Sequence, residues 1–194
     1  METQMKSMVM GPKGPMPINL FAYSTNGLPG LEIHVGGLNT KTLREKFIFI
    51  SKTRRLPIPI KRYVLCAEME GMKVSEEQAS YLELPLLILY WHLAGLIPLM
   101  NLSECFSQGT ISSTGRIHHF HFPSSLYQRL KSEFEALGQK NFTLILEGDV
   151  LADVEFQCLP TLEVLSSIEN LTLILKSGMM ARTKCSEAMQ VGFS

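Results

Sequence analysis

One stretch of the chain, residues 84–100, is the strongest constraint on the fold because it contains no Asp, Glu, Lys or Arg. Such a stretch must be buried either in a protein core or in a membrane, and His92 is its only ionisable side chain near neutral pH. A membrane-spanning helix needs about 20 apolar residues. Pro85 near the start and Pro98 near the end instead fit a shorter helix with a proline in its first turn. We therefore predict a core helix from about Leu84, with His92 hydrogen-bonded to backbone.

The composition indicates one globular domain without a global electrostatic bias. Of the 194 residues, 45% are hydrophobic, and 18 Lys and Arg balance 18 Asp and Glu. Net charge near zero gives no overall field toward nucleic acid or an anionic membrane, so such binding would need a local patch. The four cysteines form no C-x-x-C pair, and residues 1–20 lack the apolar run of a secretory signal. We expect reduced thiols, a cytoplasmic location and no membrane association.

The first part of the chain is predicted to be a leader followed by a hairpin. Residues 1–17 are rich in Met, Gly and Pro without a helical or strand period, which indicates a flexible leader. Residues 18–23 and 31–35 are β-prone, and the turn residues between them predict that the two strands pair.

A helix and a buried strand are predicted next. Apolar side chains recur at helical spacing over residues 42–50, at Leu43, Phe47 and Ile50, after Asn39 or Thr40 as N-cap. Prolines at 57 and 59 end this helix, and residues 63–67 form a short apolar run typical of a buried strand.

Beyond the core helix, residues 109–113 and 116–122 are predicted to pair through a turn at Thr114-Gly115. The remaining predicted elements are a helix over 126–137, a strand over 142–146, a helix over 161–168 and a strand over 171–175. Residues 177–194 lack a period and are predicted to be a frayed tail, so that a single domain spans residues 18–176. The fold class expected from this order is α/β, in the sense of mixed α+β.

Several short motifs occur in the order found in one protein family. They are STNGLPG at 24–30 with the strand end at 35–38, the strand region 56–68, LELP at 82–85, and GTI at 109–111 with Gly115-Arg116. Together they resemble the N-terminal, ChlI-like domain of the Mg-chelatase-like competence proteins, the ComM/YifB family. The resemblance covers about residues 18–176. It implies a ribosomal protein S5 domain 2-like sheet with helices packed on it, the fold that the Lon protease domain also uses.

The resemblance also raises the question of catalysis. Lon-type proteolysis needs a serine before the core helix and a lysine early in the helix after the hairpin. These positions fall on Tyr81 and near Ser124, while Ser80 and Lys131 are out of register, so we predict no Ser-Lys dyad. The ATPase motor of the family carries G-x-x-x-x-G-K-[ST], which this sequence lacks, and Gly11-Pro12-Lys13-Gly14 is not such a loop. We predict a chain that is not an enzyme and has no cofactor.

The histidines at 118, 119 and 121 could suggest a metal site. On a strand, His119 and His121 face one side and His118 the other, so at most two of them converge. We predict surface histidines and no metal site.

The segment 46–62 is the most basic part of the sequence. It carries six Lys or Arg and no acidic residue, with Phe47, Phe49 and Tyr63 close by. Such a segment can bind phosphates through the side chains of Lys52, Arg54, Arg55, Lys61 and Arg62, or its charges can simply be solvated. Lys46 is the sixth Lys or Arg of this segment.

Two functional hypotheses remain open. The first is a non-catalytic interaction or assembly domain that docks on a protein partner, such as a motor that carries the missing ATPase part. The second is a DNA-binding accessory in recombination or DNA uptake that uses the basic 46–62 segment. The sequence does not reveal the oligomeric state.

Overall fold

The computed structural model describes residues 1–118 apart from 12–13, 37, 70–73, 98–101 and 104, together with Gln128, Ser132 and residues 143–146 and 157–160. The elements of this part of the chain, in order, are β1 (Glu2–Gly11), β2 (Gly14–Thr25), β3 (Gly30–His34), α1 (Thr40–Thr53), β4 (Arg62–Ala67), α2 (Glu76–Ser80), α3 (Glu83–Leu93), β5 (Cys105–Ser107), β6 (Thr110–Ile111), β7 (Ile117–His118), β8 (Thr143–Leu146) and β9 (Gln157–Pro160). The prediction of a mixed α/β chain is confirmed.

The main sheet is mixed. It has seven strands in the order β3-β4-β2-β1-β5-β8-β9, and β6 with β7 forms a separate two-stranded ribbon. β2 is antiparallel to both of its neighbours, β1 and β4, whereas the other neighbouring strands pair in parallel. β2 is therefore the one strand of this described sheet that runs against the rest.

The first residues differ from the predicted flexible leader, because Glu2–Gly11 is strand β1 and pairs along its whole length with β2. Met5, Ser7 and Val9 alternate along it and are buried on one face. The pairing continues up to Gly11 and Gly14, the last and first residues of the two strands. The prediction of a leader was wrong because two of the three buried apolar side chains of β1, Met5 and Met8, are unbranched methionines, which are weak strand indicators.

The predicted strands 18–23 and 31–35 are present as parts of β2 and β3, but the prediction that they pair was wrong. Thr25 and Gly30 both pair with Arg62, so β4 lies between the two strands. β3 and β4 are parallel and are joined through α1. The turn residues at 26–30 therefore carry the chain across one intervening strand, which a local turn signal cannot distinguish from a hairpin.

Helix α1 is confirmed with its predicted inward face. The Asn39 side chain accepts a hydrogen bond from Thr42 N at 3.1 Å and caps the helix. Leu43, Phe47 and Ile50 are all buried. The predicted strand at 63–67 is also confirmed, as β4.

Helix α3 is buried over its whole length, as the apolar stretch 84–100 predicts. Trp91 Nε1 donates to Ser51 Oγ at 3.0 Å, which places α3 beside α1. His92 Nδ1 lies 3.2 Å from Ile97 O, so the prediction of a core histidine bonded to backbone is confirmed. In the described part of the chain, no helix is long and apolar enough to cross a membrane.

The later predictions are tested only in part. The paired strands are confirmed in shorter form as β6 and β7, and the strand at 142–146 as β8. β9 was not predicted. Of the predicted helix 126–137, Gln128 and Ser132 are described, and both are helical. The predicted elements at 161–168 and 171–175 and the tail from 177 lie outside the described residues.

The buried position of His92 predicts a pH dependence of stability. Burial lowers the pKa of His92 from its ordinary value of 6.5, and the hydrogen bond with Ile97 opposes part of this effect. The unfolded chain then binds the proton more tightly than the folded chain. His92 therefore leaves the free energy of unfolding unchanged above pH 6.5 and lowers it as the pH decreases below that value. We expect urea unfolding at about pH 7.5 and about pH 5.5 to show a smaller difference for His92→Gln than for the wild type. Equal differences would show that another group is responsible.

Candidate interaction surface

The basic residues predicted as a site are distributed along α1, the loop after it and the start of β4. Lys46 and Lys52 lie on α1, Arg54 and Arg55 follow its last residue, and Lys61 and Arg62 stand at the start of β4. The structure brings carboxylates from distant parts of the chain to two of these six cations, Lys46 and Arg62. The six therefore do not form one uniform patch.

Lys46 is engaged in a structural ion pair. Its Nζ lies 2.7 and 2.9 Å from the two carboxylate oxygens of Glu83 and donates to Ile111 O at 2.9 Å. The Ile111 amide donates in turn to Glu83 Oε2 at 2.9 Å. These bonds join α1, the first turn of α3 and the β6–β7 ribbon, so Lys46 is not available to a ligand.

Arg62 is also paired. Its Nε and Nη2 donate to the two oxygens of Glu32 at 2.7 and 2.9 Å, the bidentate geometry of a strong guanidinium–carboxylate pair. These hydrogen bonds, followed by the charge of Arg62, lower the pKa of Glu32. His34 Nε2 lies 3.8 Å from the same carboxylate. Neighbouring strands β3 and β4 thus neutralise one of the predicted phosphate-binding cations.

The remaining loop cations stand apart from carboxylates. Among the residues that the structure describes, no carboxylate lies within ion-pair distance of Lys52, Arg55 or Lys61, and all three are exposed. The positive charge that the sequence places in 46–62 is therefore retained at these residues.

Arg55 ends α1 in an uncommon conformation for a non-glycine residue. Its φ is 53°, in the left-handed region. Its amide donates to Lys52 O at 2.9 Å, and the amide of Leu56 donates to Ser51 O at 3.0 Å. This pair of hydrogen bonds is the Schellman helix end, at which glycine is usual. An exposed cation therefore occupies a position where the backbone favours glycine.

Arg55→Gly tests the cost of this arrangement. Relief of left-handed strain is expected to raise the free energy of unfolding by about 1 kcal/mol. Lys52→Gly, in the last turn of the same helix at ordinary helical dihedrals, should lower it by about 1 kcal/mol. Urea denaturation measures both, and destabilisation by Arg55→Gly would contradict the assigned helix end.

The ribbon β6–β7 adds a cation that the sequence analysis missed. A Cβ at Gly115 would lie 2.7 Å from Nη2 of Arg54, and Gly115 has a φ of 82°, so only glycine fits this turn. Arg54 is partly buried, and this burial lowers its pKa. The next residue, Arg116, is exposed. Sequence reasoning assigned Arg116 to a hairpin but had no signal that the hairpin lies against the end of α1.

Two large apolar side chains are almost fully exposed near these cations. Leu28 is 88% and Ile60 86% exposed. Gly30 N donates to Lys61 O at 3.1 Å, which brings the 26–30 turn beside the loop that carries Ile60. Because α1 joins two parallel strands, it runs back against them, and its last residues lie at the end of the sheet where β4 begins. We call Leu28, Arg55, Ile60 and Lys61 the end surface.

A cleft opens beside the end surface, between the 26–30 turn and α1. Its volume is about 650 Å³. Leu28 and Leu31 line one wall, Arg44, Glu45 and Ile48 line the other, and Arg62 with Glu32 lies at its side. We call this space the β3 cleft.

The positions predicted to lack catalytic groups are only partly described. Tyr81 is the C-cap of α2, and Ser80 Oγ donates to Glu77 O at 2.6 Å. Ser124 and Lys131 lie outside the described residues. His118 is exposed at the end of β7, whereas His119 and His121 are outside the described part. Within that part, no three His, Cys, Asp or Glu side chains come together as a metal site would require.

A scan of the sequence against models of known protein families and a search among curated proteins both find no match. The similarity to the Mg-chelatase-like competence proteins therefore stays a hypothesis that rests on the short motifs alone.

Proposed function

We propose that this chain is a non-catalytic interaction domain that docks on a protein partner through the end surface. The observation that carries the proposal is the exposure of Leu28 and Ile60 on adjoining loops. Single exposed apolar residues are common, but neighbouring ones rimmed by polar groups are typical of protein interaction sites. The flanking cations Arg55 and Lys61 would favour a partner with acidic residues around its apolar contact.

We also propose a relationship to the N-terminal domain of the competence proteins, and with it an S5 domain 2-like fold, on the basis of the short motifs and the order of the elements. The chain forms three strands, helix α1, strand β4, the short helix α2 and the core helix α3 in that order, and α1 and α3 lie side by side. The motif-bearing segments correspond to the turn before β3, the start of α3 and the β6–β7 ribbon. If the relationship holds, an ATPase motor is the kind of partner to expect.

Site-specific photo-cross-linking tests the docking proposal. A benzophenone amino acid placed at Leu28 or at Ile60 should give adducts with the same partner protein in cells that produce the chain. Thr42, exposed at the opposite end of α1, provides the matched control and should give none. Equal adducts from Thr42, or no protein adduct from either loop position, would overturn the proposal.

The DNA-binding accessory is retained as a second candidate because of one observation. The segments 24–31, 46–62 and 109–118 meet around the end of α1 and carry seven Lys or Arg and no Asp or Glu. Even with Lys46 and Arg62 paired, this part of the molecule is positively charged. Phe49, 56% exposed on α1, could stack on an unpaired base.

Charge reversal at Lys52, Arg55 and Lys61 tests this candidate without breaking the pairs of Lys46 and Arg62. If the three contact phosphates, fluorescence anisotropy with single-stranded DNA should show weaker binding and a salt slope smaller by about 2, because each phosphate contact on a single strand contributes about 0.7. Lys41→Glu, at the start of α1, should change binding little. No binding by the wild type at low salt, or equal weakening by Lys41→Glu, would contradict DNA binding through this surface.

A further inference from the structure

Strand β3 is one of the two edges of the described sheet, and its outward backbone groups can be identified. Gly30 N donates to Lys61 O, so Gly30, Glu32 and His34 direct their amides toward β4. The amides and carbonyls of Leu31 and Ile33 consequently face away from β4. Within the described part of the chain, no backbone group pairs with them. An edge of this kind is a template for one more strand.

The β3 cleft lies against this edge. Leu31, whose backbone faces outward, and Glu32 both line it, with Ile48 of α1 opposite. A segment pairing with β3 would run between the edge and α1, and every second side chain would point to the side of the sheet that α1 covers. The cleft volume of about 650 Å³ is sufficient for a large apolar side chain beside Leu28 and Ile48.

The charges around the cleft determine the chemistry of its occupant. Arg62 is paired with Glu32, and Arg44 Nη2 lies 3.0 Å from Glu45 Oε1. With its charged side chains paired to one another, the cleft offers apolar surface and backbone hydrogen-bonding groups but no excess charge. The matching occupant is an uncharged, extended polypeptide with apolar side chains at alternate positions.

Resting on the proposed function, we infer that the partner contributes such an extended segment, which adds to β3 as a further strand and places one apolar side chain in the β3 cleft. Backbone hydrogen bonds to Leu31 and Ile33 supply affinity, and the cleft supplies selectivity. The end surface then contacts the part of the partner that flanks this strand.

The test uses peptides selected from a random-sequence display library on the full chain, then synthesised and titrated into it. The selected peptides should alternate apolar residues and protect the amides of Leu31 and Ile33 from hydrogen exchange. N-methylation of the peptide amides that face β3 should weaken binding about tenfold per hydrogen bond lost. Methylation of the alternate amides, which face away from β3, should change binding less. Ile48→Asp should abolish binding, and Thr42→Asp, at an exposed position of the same helix, should not.

Four outcomes would overturn the inference. The first two are that no peptide is enriched and that the amides of Leu31 and Ile33 are not protected from hydrogen exchange. The others are that methylation of either set of alternate peptide amides weakens binding equally, or that the amides of Leu31 and Ile33 are protected without peptide to an extent that depends on protein concentration. The last would identify a second copy as the occupant. Loss of the photo-adducts from Leu28 and Ile60 would instead contradict the proposed function, so the two failures are distinguishable.

Discussion

Phe47→Ala is expected to lower the free energy of unfolding by about 4 kcal/mol, the cost of deleting a large aromatic side chain from a core. Phe47 is fully buried on the inward face of α1, where it joins the core formed with β3 and α3. Urea denaturation measures the change. The loss should appear as a lower urea concentration at the unfolding midpoint. The dependence of the free energy of unfolding on urea concentration should be unchanged, because the surface exposed on unfolding stays similar.

Phe49→Ala is the matched control for this substitution. Phe49 lies two residues further along the same helix and is 56% exposed. Its removal should change stability by no more than about 0.5 kcal/mol. Similar losses from the two substitutions would contradict the assigned face of α1.

The second large effect is expected from Glu83→Ala, at about 3 kcal/mol. This substitution leaves the Lys46 ammonium without its carboxylate and the Ile111 amide without its acceptor. The side chains of Lys46 and Glu83 are only 21% and 11% exposed, so solvent replaces these bonds poorly. Urea unfolding should show the loss.

Two further variants check the origin of that loss. Glu45→Ala removes an exposed pair with Arg44 and should cost no more than about 0.5 kcal/mol. Replacing both partners, with Lys46→Met and Glu83→Leu, should recover part of the stability because no charge is then left unpaired. A double variant as unstable as Glu83→Ala would show that the Ile111 amide, and not the ammonium, dominates the cost.

The elements predicted from the sequence share one property, which is that their signals are local. The spacing of Leu43, Phe47 and Ile50 and the apolar stretch from Leu84 identify α1 and α3 without knowledge of the rest of the chain. Strand pairing is not local. The neighbour of β3 is β4, more than 25 residues further along the chain, and the turn at 26–30 gives no sign of it.

The same distinction applies to the site. The cations of 46–62 could be found because they lie within one short segment, but Glu32 and Glu83, which pair with two of them, lie in other segments. Leu28 and Ile60 were missed for a different reason. An apolar residue in a turn is as compatible with burial as with exposure, and the difference depends on tertiary packing.

The central claim is that the apolar side chains of the end surface, and not its cations, attach a protein partner. The most direct measurement is the yield of the protein photo-adduct from Ile60 at low and at high salt, with and without nuclease treatment. We predict the same adduct under all conditions, reduced by Leu28→Asp and little changed by Arg55→Glu. An adduct that disappears at high salt or after nuclease treatment would contradict the claim and favour nucleic-acid binding.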